Sequence, residues 1–395
     1  MSPVLPFDII ALIIDTVGEN KDTKLLKELA LVSHSFLQIC SKHLFATVEL
    51  HNANPSYHLA SSKKGFAKLL ESRPDVVKHI RKLTYYVSYE IDDDDHLLSP
   101  LLLNFLPTFS RLNCLTINAQ WDWNILDSSL KSAFFHLMHL PTINHIDLSN
   151  ILDFPLSSLT PSVNLHRLDI FHLGCLRPLE EEGSPQIIME MMPKLREFHT
   201  SRSSWLTTKL LHARTQDGRP AFNFMDLRRV SMSFSPFEDE RNIRYLLQNA
   251  KLLENFHLSV FSTRSLVGFL SFSPRTLKVL DLTVASHIGD SVLLGWICEE
   301  LEALVGQNAL EVLSFVFKVD GDETEDFIGS MMQKVEKILV IPRRSALREV
   351  SFKIAISPWG NSVKLCEALQ SLPDKYLSHL SKLESIAFNY SAYLD

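Results

Sequence analysis

Apolar residues fall along this chain in two rhythms. From Leu5 to Phe45 they recur every three or four positions, the spacing of a helix face. From about residue 80 they come as a short phrase instead: apolar, two residues, apolar, one residue, apolar. The last three positions of that phrase alternate, as they do in a strand with one face in a core.

In the first segment Leu5-Pro6 opens a helix, because proline at the first helical position gives up an N–H that would have no partner there. Ile9, Ile10, Ile13, Ile14 and Val17 make its apolar stripe, and Gly18-Glu19-Asn20 ends it. Asp22 or Thr23 caps a second helix, predicted over Lys24–Ser41. That helix carries two stripes: Leu25, Leu29, Val32 and Phe36 on one side, Leu26, Ala30, Leu37 and Cys40 on the other. A helix apolar on two sides must be covered on two sides, and a unit of about 45 residues is too small to do so internally. Either the helical hairpin caps the longer second segment, or one stripe awaits a partner. Capping would bury Leu5, Pro6, Val32 and Phe36 against the rest of the chain. Thr47–Leu50 then reads as a strand.

Nine clear copies of the phrase begin at Leu112, Ile143, Leu165, Leu227, Leu253, Leu277, Leu310, Leu347 and Leu383, and weaker ones at Ile80 and Leu195. Their starts lie roughly 22 to 37 residues apart. Helical stretches fill the gaps, at Asp127–Leu140, Gln186–Met192, Glu238–Asn249, Asp290–Gly306, Glu323–Val340 and Asn361–Leu372. Strand and helix alternating at this period predict stacked βα units with a parallel sheet, an α/β fold.

Composition narrows the class. A chain of 395 residues is too long for one core, and 46 % hydrophobic with 22 % charged residues is ordinary for a folded protein. A net charge of −7 leaves no basic footprint for nucleic acid. No apolar run reaches the ~20 residues of a membrane helix, and the start, MSPVLPFDII, lacks the basic region of a signal peptide. Five scattered cysteines, in no CxxC pair, read as free buried thiols of a reducing compartment, so the expected location is cytoplasmic or nuclear.

These residues carry two resemblances. Leu5-Pro6-x-x-Ile9, Ile13, Leu29-x-x-Val32-Ser33-x-x-Phe36 and Leu44-Phe45 resemble an F-box, and are most similar to the divergent F-box-like segments of fungal leucine-rich proteins. The family has Trp where Phe36 stands, and a shorter connection than Gly18–Lys24. The recurring phrase resembles the strand of leucine-rich repeats. The ninth position of an ordinary repeat is Asn or Cys; here Ser88, Ser203, Ser235 and Ser391 are weak substitutes, and Leu173, Phe261 and Lys318 are none. The expected fold is therefore a small helical F-box-like domain over residues 1–50, then an irregular leucine-rich-repeat solenoid over 51–395. A mixed α/β domain of another kind is the alternative.

The resemblance implies the substrate-recognition subunit of a cullin–RING (SCF-type) ubiquitin ligase. Leu5, Pro6, Ile9, Ile13, Leu29, Val32, Ser33 and Phe36 would bind a Skp-type adaptor and, through it, a cullin. The repeats would hold an unknown protein substrate, and the ligase would work by proximity. The rival is a non-catalytic scaffold whose F-box-like segment only caps the solenoid. On a solenoid the fifth and seventh positions of each phrase face outward, which sets Asp147, Asp169, His199, His257 and Asp281 in one row. A protein-binding face suits this row better than a metal or acid–base site, since no HExxH or paired-ligand spacing frames it. No cofactor and no metal are expected. The acidic run Asp92–Asp95 reads as a solvated loop, and Trp121 and Trp123 as core.

Overall fold

Every copy of the phrase becomes a strand. The computed structural model describes residues 6–51, 63–87, 100–174, 186–187, 193–215, 217–234, 240–260, 270, 275–285, 298–302, 309–319, 325–340, 346–358 and 362–394. The chain forms two compact units, one of residues 1–183 and 189–193, the other of residues 184–188 and 194–395. Leu5, Ser88, Asp92–Asp95, Cys175, Ser235 and Phe261 lie outside the described residues.

The first unit holds β1 (Thr47–Leu50), β2 (Lys82–Val87), β3 (Cys114–Asp122), β4 (His145–Leu152) and β5 (Arg167–Phe171). They neighbour one another in chain order, all parallel. The second unit adds β6 (Gln186–Ile187), β7 (Glu197–Ser201), β8 (Arg214–Thr215), β9 (Arg229–Phe234), β10 (Asn255–Val260), β11 (Val279–Ala285), β12 (Val312–Val319), β13 (Glu349–Ile356) and β14 (Ala387–Leu394). Here the order is β7-β9-β10-β11-β12-β13-β14, again all parallel, while β6 and β8 pair by themselves. The fold is mixed α/β, built of repeated strand–connection units.

A backbone device ties each unit to the one before. The Ala46 carbonyl accepts from the N–H groups of both Arg81 and Lys82, Arg81 from Asn113 and Cys114, Asn113 from Asn144 and His145, and Asn144 from His166 and Arg167. In the second unit Arg196, Arg228, Glu254, Lys278 and Glu311 carbonyls do the same. The step needs no particular side chain, so it survives the sequence's irregularity.

Side chains fill in as the alternation predicts. In the ten copies from Ile80 to Leu347 the fourth and sixth positions are all buried, and in the last copy Ile386 and Phe388 are half-buried. The ninth position is where the repeats depart from the ordinary pattern. Ile151 and Leu173 are buried there as apolar residues, and Ser203 just before the helix Ser204–His212, its hydroxyl donating to the Ser201 carbonyl. The turn is made one residue earlier, by left-handed backbone at Asn150 (φ 58°), His172 (φ 52°) and Arg202 (φ 50°). Trp123 is core, packed with Phe134, Phe135 and Phe154. The Trp121 side chain is outside what the structure describes.

Several expectations need correction. The second helix predicted over Lys24–Ser41 is two, α2 (Thr23–Ala30) and α3 (His34–Leu44), after α1 (Phe7–Glu19). Ser33 lies between them in extended conformation and accepts from the Phe36 N–H, so serine starts a new helix where apolar spacing alone implied continuity. Gln186 and Ile187, read as helical, are β6, because their backbone pairs with Arg214 and Thr215. Of Asp290–Gly306, residues 298–302 are described and are helical. The helices Ser128–Met138 (capped by Asp127), Glu240–Asn249, Glu325–Leu339 and Ser362–Gln370 stand where the pattern put them.

Candidate functional site

The three N-terminal helices close a small core of their own. Ile14, Leu26 and Cys40, one from each helix, are buried at its centre, and Ile10, Val17, Leu29, Ala30, Phe36, Ile39 and Leu44 pack around them. Asp15 of α1 accepts hydrogen bonds from Lys42 Nζ and His43 Nε2 of α3, both at 2.8 Å. The Lys42 bond, then the His43 bond, hold the Asp15 carboxyl below its ordinary value against a smaller opposing effect of burial. Asp22 caps α2 by accepting from the Leu25 N–H.

This closure buries one stripe at Leu26 and Cys40 and takes in Leu29 and Phe36 of the other, leaving its Leu25 and Val32 in water. On α1, Ile9 and Ile13 lie one turn apart and are 45 % and 50 % exposed, with Leu12 beside them at 63 %. In the α2–α3 turn Leu31 is 88 % and Val32 63 % exposed. Among the described residues, seven of the fourteen exposed large apolar side chains fall between Phe7 and Val32.

The predicted adaptor set therefore divides. Pro6, Ile9, Ile13 and Val32 are exposed, as is Ser33 beside its capping bond; Leu29 and Phe36 are half-buried in the helical core. Capping would cover Pro6 and Val32, and neither is covered. Sequence reasoning missed Phe7, Leu12 and Leu31. Leu31 was hidden by reading α2 and α3 as one helix; Phe7 and Leu12 lie off the stripe that spacing picks out.

The second set of candidates lies on the strand faces, and it is less open than alternation implied. In the first unit Asp169 is buried and Asp147 half-buried; Thr84 and Thr116, at the same position of their copies, are buried too. Strands ~4.8 Å apart let neighbouring rows shield short side chains, so a face pointing away from the core is not thereby wet. Asp169 accepts from Arg167 Nη2 and His145 Nε2, each at 2.9 Å. Burial alone would disfavour the charged imidazole; hydrogen bonds to Asp169 and to Cys114 outweigh it and raise His145 to about 9. Burial pushes the Asp147 carboxyl up, and Ser149 donates to it at 3.0 Å.

In the second unit His199, His257 and Asp281 are half-buried. His257 and Asp281 are register partners on β10 and β11; His199 sits two strands from His257, opposite Ser231. Burial lowers His257 and raises Asp281, which favours the neutral form of each. Among the described residues no group of three His, Cys, Asp or Glu is placed to hold a metal ion, and no helix is long and apolar enough to cross a membrane.

No family model matches this chain, and no curated protein matches it. Among solved structures it is similar to a chain in the crystal structure of the Rad7 and Elc1 complex in yeast. The identity is 13 % over 92 % of this chain and 84 % of that chain, with a TM-score of 0.41. A likeness that distant bears on neither fold nor function.

Proposed function

We propose that this chain is the substrate-recognition subunit of a cullin–RING ubiquitin ligase. The helical module over residues 1–50 docks a Skp-type adaptor, and the strand repeats hold a target protein. The observation that carries the reading is the exposed apolar patch of Ile9, Leu12 and Ile13 on α1 and of Leu31 and Val32 in the α2–α3 turn. Exposed apolar side chains scattered singly need no explanation, but a concentration on one small module marks a surface that docks something apolar. The module's own core is already complete around Ile14, Leu26 and Cys40, so folding does not require the patch.

The adaptor contact rests on Ile9, Ile13 and Val32, with Leu12 and Leu31 added to the residues the motif nominates. Ser33, Leu29 and Phe36 support it from within: Ser33 starts α3, and the other two brace the patch from the core side. The target lies on the polar strand faces, where half-buried groups such as His257 and Asp281 lose little further hydration on being covered. Transfer chemistry stays with the ligase; this chain supplies proximity.

Co-purification with a Skp-type adaptor tests the reading. Wild-type chain should retain the adaptor through gel filtration, and an Ile13→Glu variant, altered at an exposed position, should lose it while remaining folded. A folded wild-type chain that never retains adaptor would sink the proposal.

A further inference from the structure

A second chemistry sits on the strand face of the first unit, on β3, β4 and β5. Cys114, His145 and Arg167 are register partners on β3, β4 and β5, all at the third position of their copies. Two residues on, and so on the same face, stand Thr116, Asp147 and Asp169. The register brings four of these six side chains into one chain of bonds. Arg167 holds Asp169; Asp169 takes the Nε2 side of His145 at 2.9 Å; and His145 Nδ1 lies 3.2 Å from Cys114 Sγ. A buried carboxylate that fixes an imidazole, which in turn faces a thiol, is the arrangement that activates a cysteine.

An independent observation says this face is incomplete as it stands. Thr116 keeps 8 % of its surface, and its Oγ1 is a buried polar atom with no hydrogen-bond partner among the described residues. Leaving a hydroxyl so costs stability, and natural structures rarely do it without a reason. The hydroxyl lies on the same strand face as the Cys114 sulfur, two residues along β3. Among the described cysteines Cys114 is the one whose sulfur is bonded to an imidazole; the Cys366 thiol donates to the Ala392 carbonyl, and Cys40 is buried in the helical core. Charged and titratable groups around the pair are Lys82 on β2, the register partner of Cys114, Asp147 and Asp169, and Arg167.

We propose that Cys114 is an oxidation site at which a small hydroperoxide converts the thiol to a sulfenic acid, with His145 as proton relay and Thr116 as hydrogen-bond partner of the new oxygen. Cys114 Sγ attacks one peroxide oxygen; the S–O bond forms as the O–O bond breaks. The sulfur is oxidised by two electrons and the peroxide reduced by two. The proton on His145 Nδ1 passes to the departing oxygen, which leaves as water when the oxidant is hydrogen peroxide, and the proton of the sulfur replaces it on the ring. Cys114 keeps only 8 % of its surface, so the reagent is a molecule of a few atoms and not a peptide or a bulky disulfide. The site is independent of adaptor binding, and its failure would leave the proposed function untouched.

The test uses the full chain, hydrogen peroxide at graded doses, a dimedone-type trap for sulfenic acid and peptide mass spectrometry. Cys298 and Cys366, both more exposed than Cys114, are internal comparators in the same molecule. Cys114 should be trapped about tenfold faster than either. His145→Gln should remove that advantage while Cys40, buried in the same unit, stays untrapped as in wild type, which shows the first unit is intact. Thr116→Val removes a hydroxyl with no partner, so the melting temperature should hold or rise while trapping at Cys114 falls. Cys114 reacting no faster than Cys366 would overturn the proposal, as would a rate at Cys114 unchanged in both variants.

Discussion

The His43 ring lies against the α-carbon of Gly18: a methyl group built there would overlap the imidazole. Gly18 is the penultimate residue of α1 and His43 belongs to the last turn of α3, so this close approach sets how tightly the first and third helices meet. The same ring donates to Asp15, one turn back along α1.

Gly18→Ala should therefore destabilise the helical module, although alanine in a helix is favoured by about 1 kcal/mol over glycine. The gain is available only if the ring moves, and moving it breaks the Asp15 bond. Thermal unfolding of the single variant should begin earlier than wild type. In the Gly18→Ala/His43→Ala double variant the clash is gone, and most of the loss should return. A single variant more stable than wild type would show that α1 and α3 are not so closely packed.

Stability of the first unit should fall as pH rises above neutrality. His145 binds its proton more tightly when folded, so its contribution is complete below the ordinary histidine value of 6.5 and is lost as pH climbs toward about 9. Denaturant midpoints measured across that window should decline in wild type and flatten in Asp169→Asn, which removes the ring's carboxylate partner. Equal slopes would mean Asp169 does not hold the proton.

Leu280→Ala should cost about 2–5 kcal/mol. Leu280 is fully buried on β11, flanked in register by Phe256 of β10 and Leu313 of β12, so little can collapse into the space it leaves. Urea unfolding of the variant reads the loss directly; an unchanged midpoint would place Leu280 outside the core.

Period-two alternation carried most of the fold. Leu112-Leu115-Ile117 and its ten companions each became a strand, because three in-facing apolar positions at that spacing leave few other ways to bury them. What alternation could not supply was contact between copies. The break at Ser33 was invisible because Leu29, Val32 and Phe36 keep helical spacing across it. Gln186–Ile187 comes after a Ser-Pro that opens helices elsewhere, and only its pairing with Arg214–Thr215 makes it extended. Asp169 was picked out as an exposed group and is a buried one, held by Arg167 and His145. Cys114 and His145 escaped notice because they stand at the third position of the phrase, 31 residues apart, and meet only through the β3–β4 register. In the helical module, spacing identified two stripes on the second predicted helix, and packing divided one of them, taking Leu29 and Phe36 into the core and leaving Leu25 and Val32 outside it.

Adaptor affinity tests directly whether the exposed apolar patch of α1 and the α2–α3 turn docks an adaptor. Calorimetric titration of a Skp-type adaptor into wild-type chain should give a saturable complex. In an Ile13→Glu/Val32→Glu double variant the affinity should drop by about 100-fold or more, since two charges then enter an apolar interface. Both positions face solvent in the free chain, so unfolding free energy should stay within about 1 kcal/mol of wild type. A double variant that binds the adaptor as tightly as wild type would contradict the proposed docking.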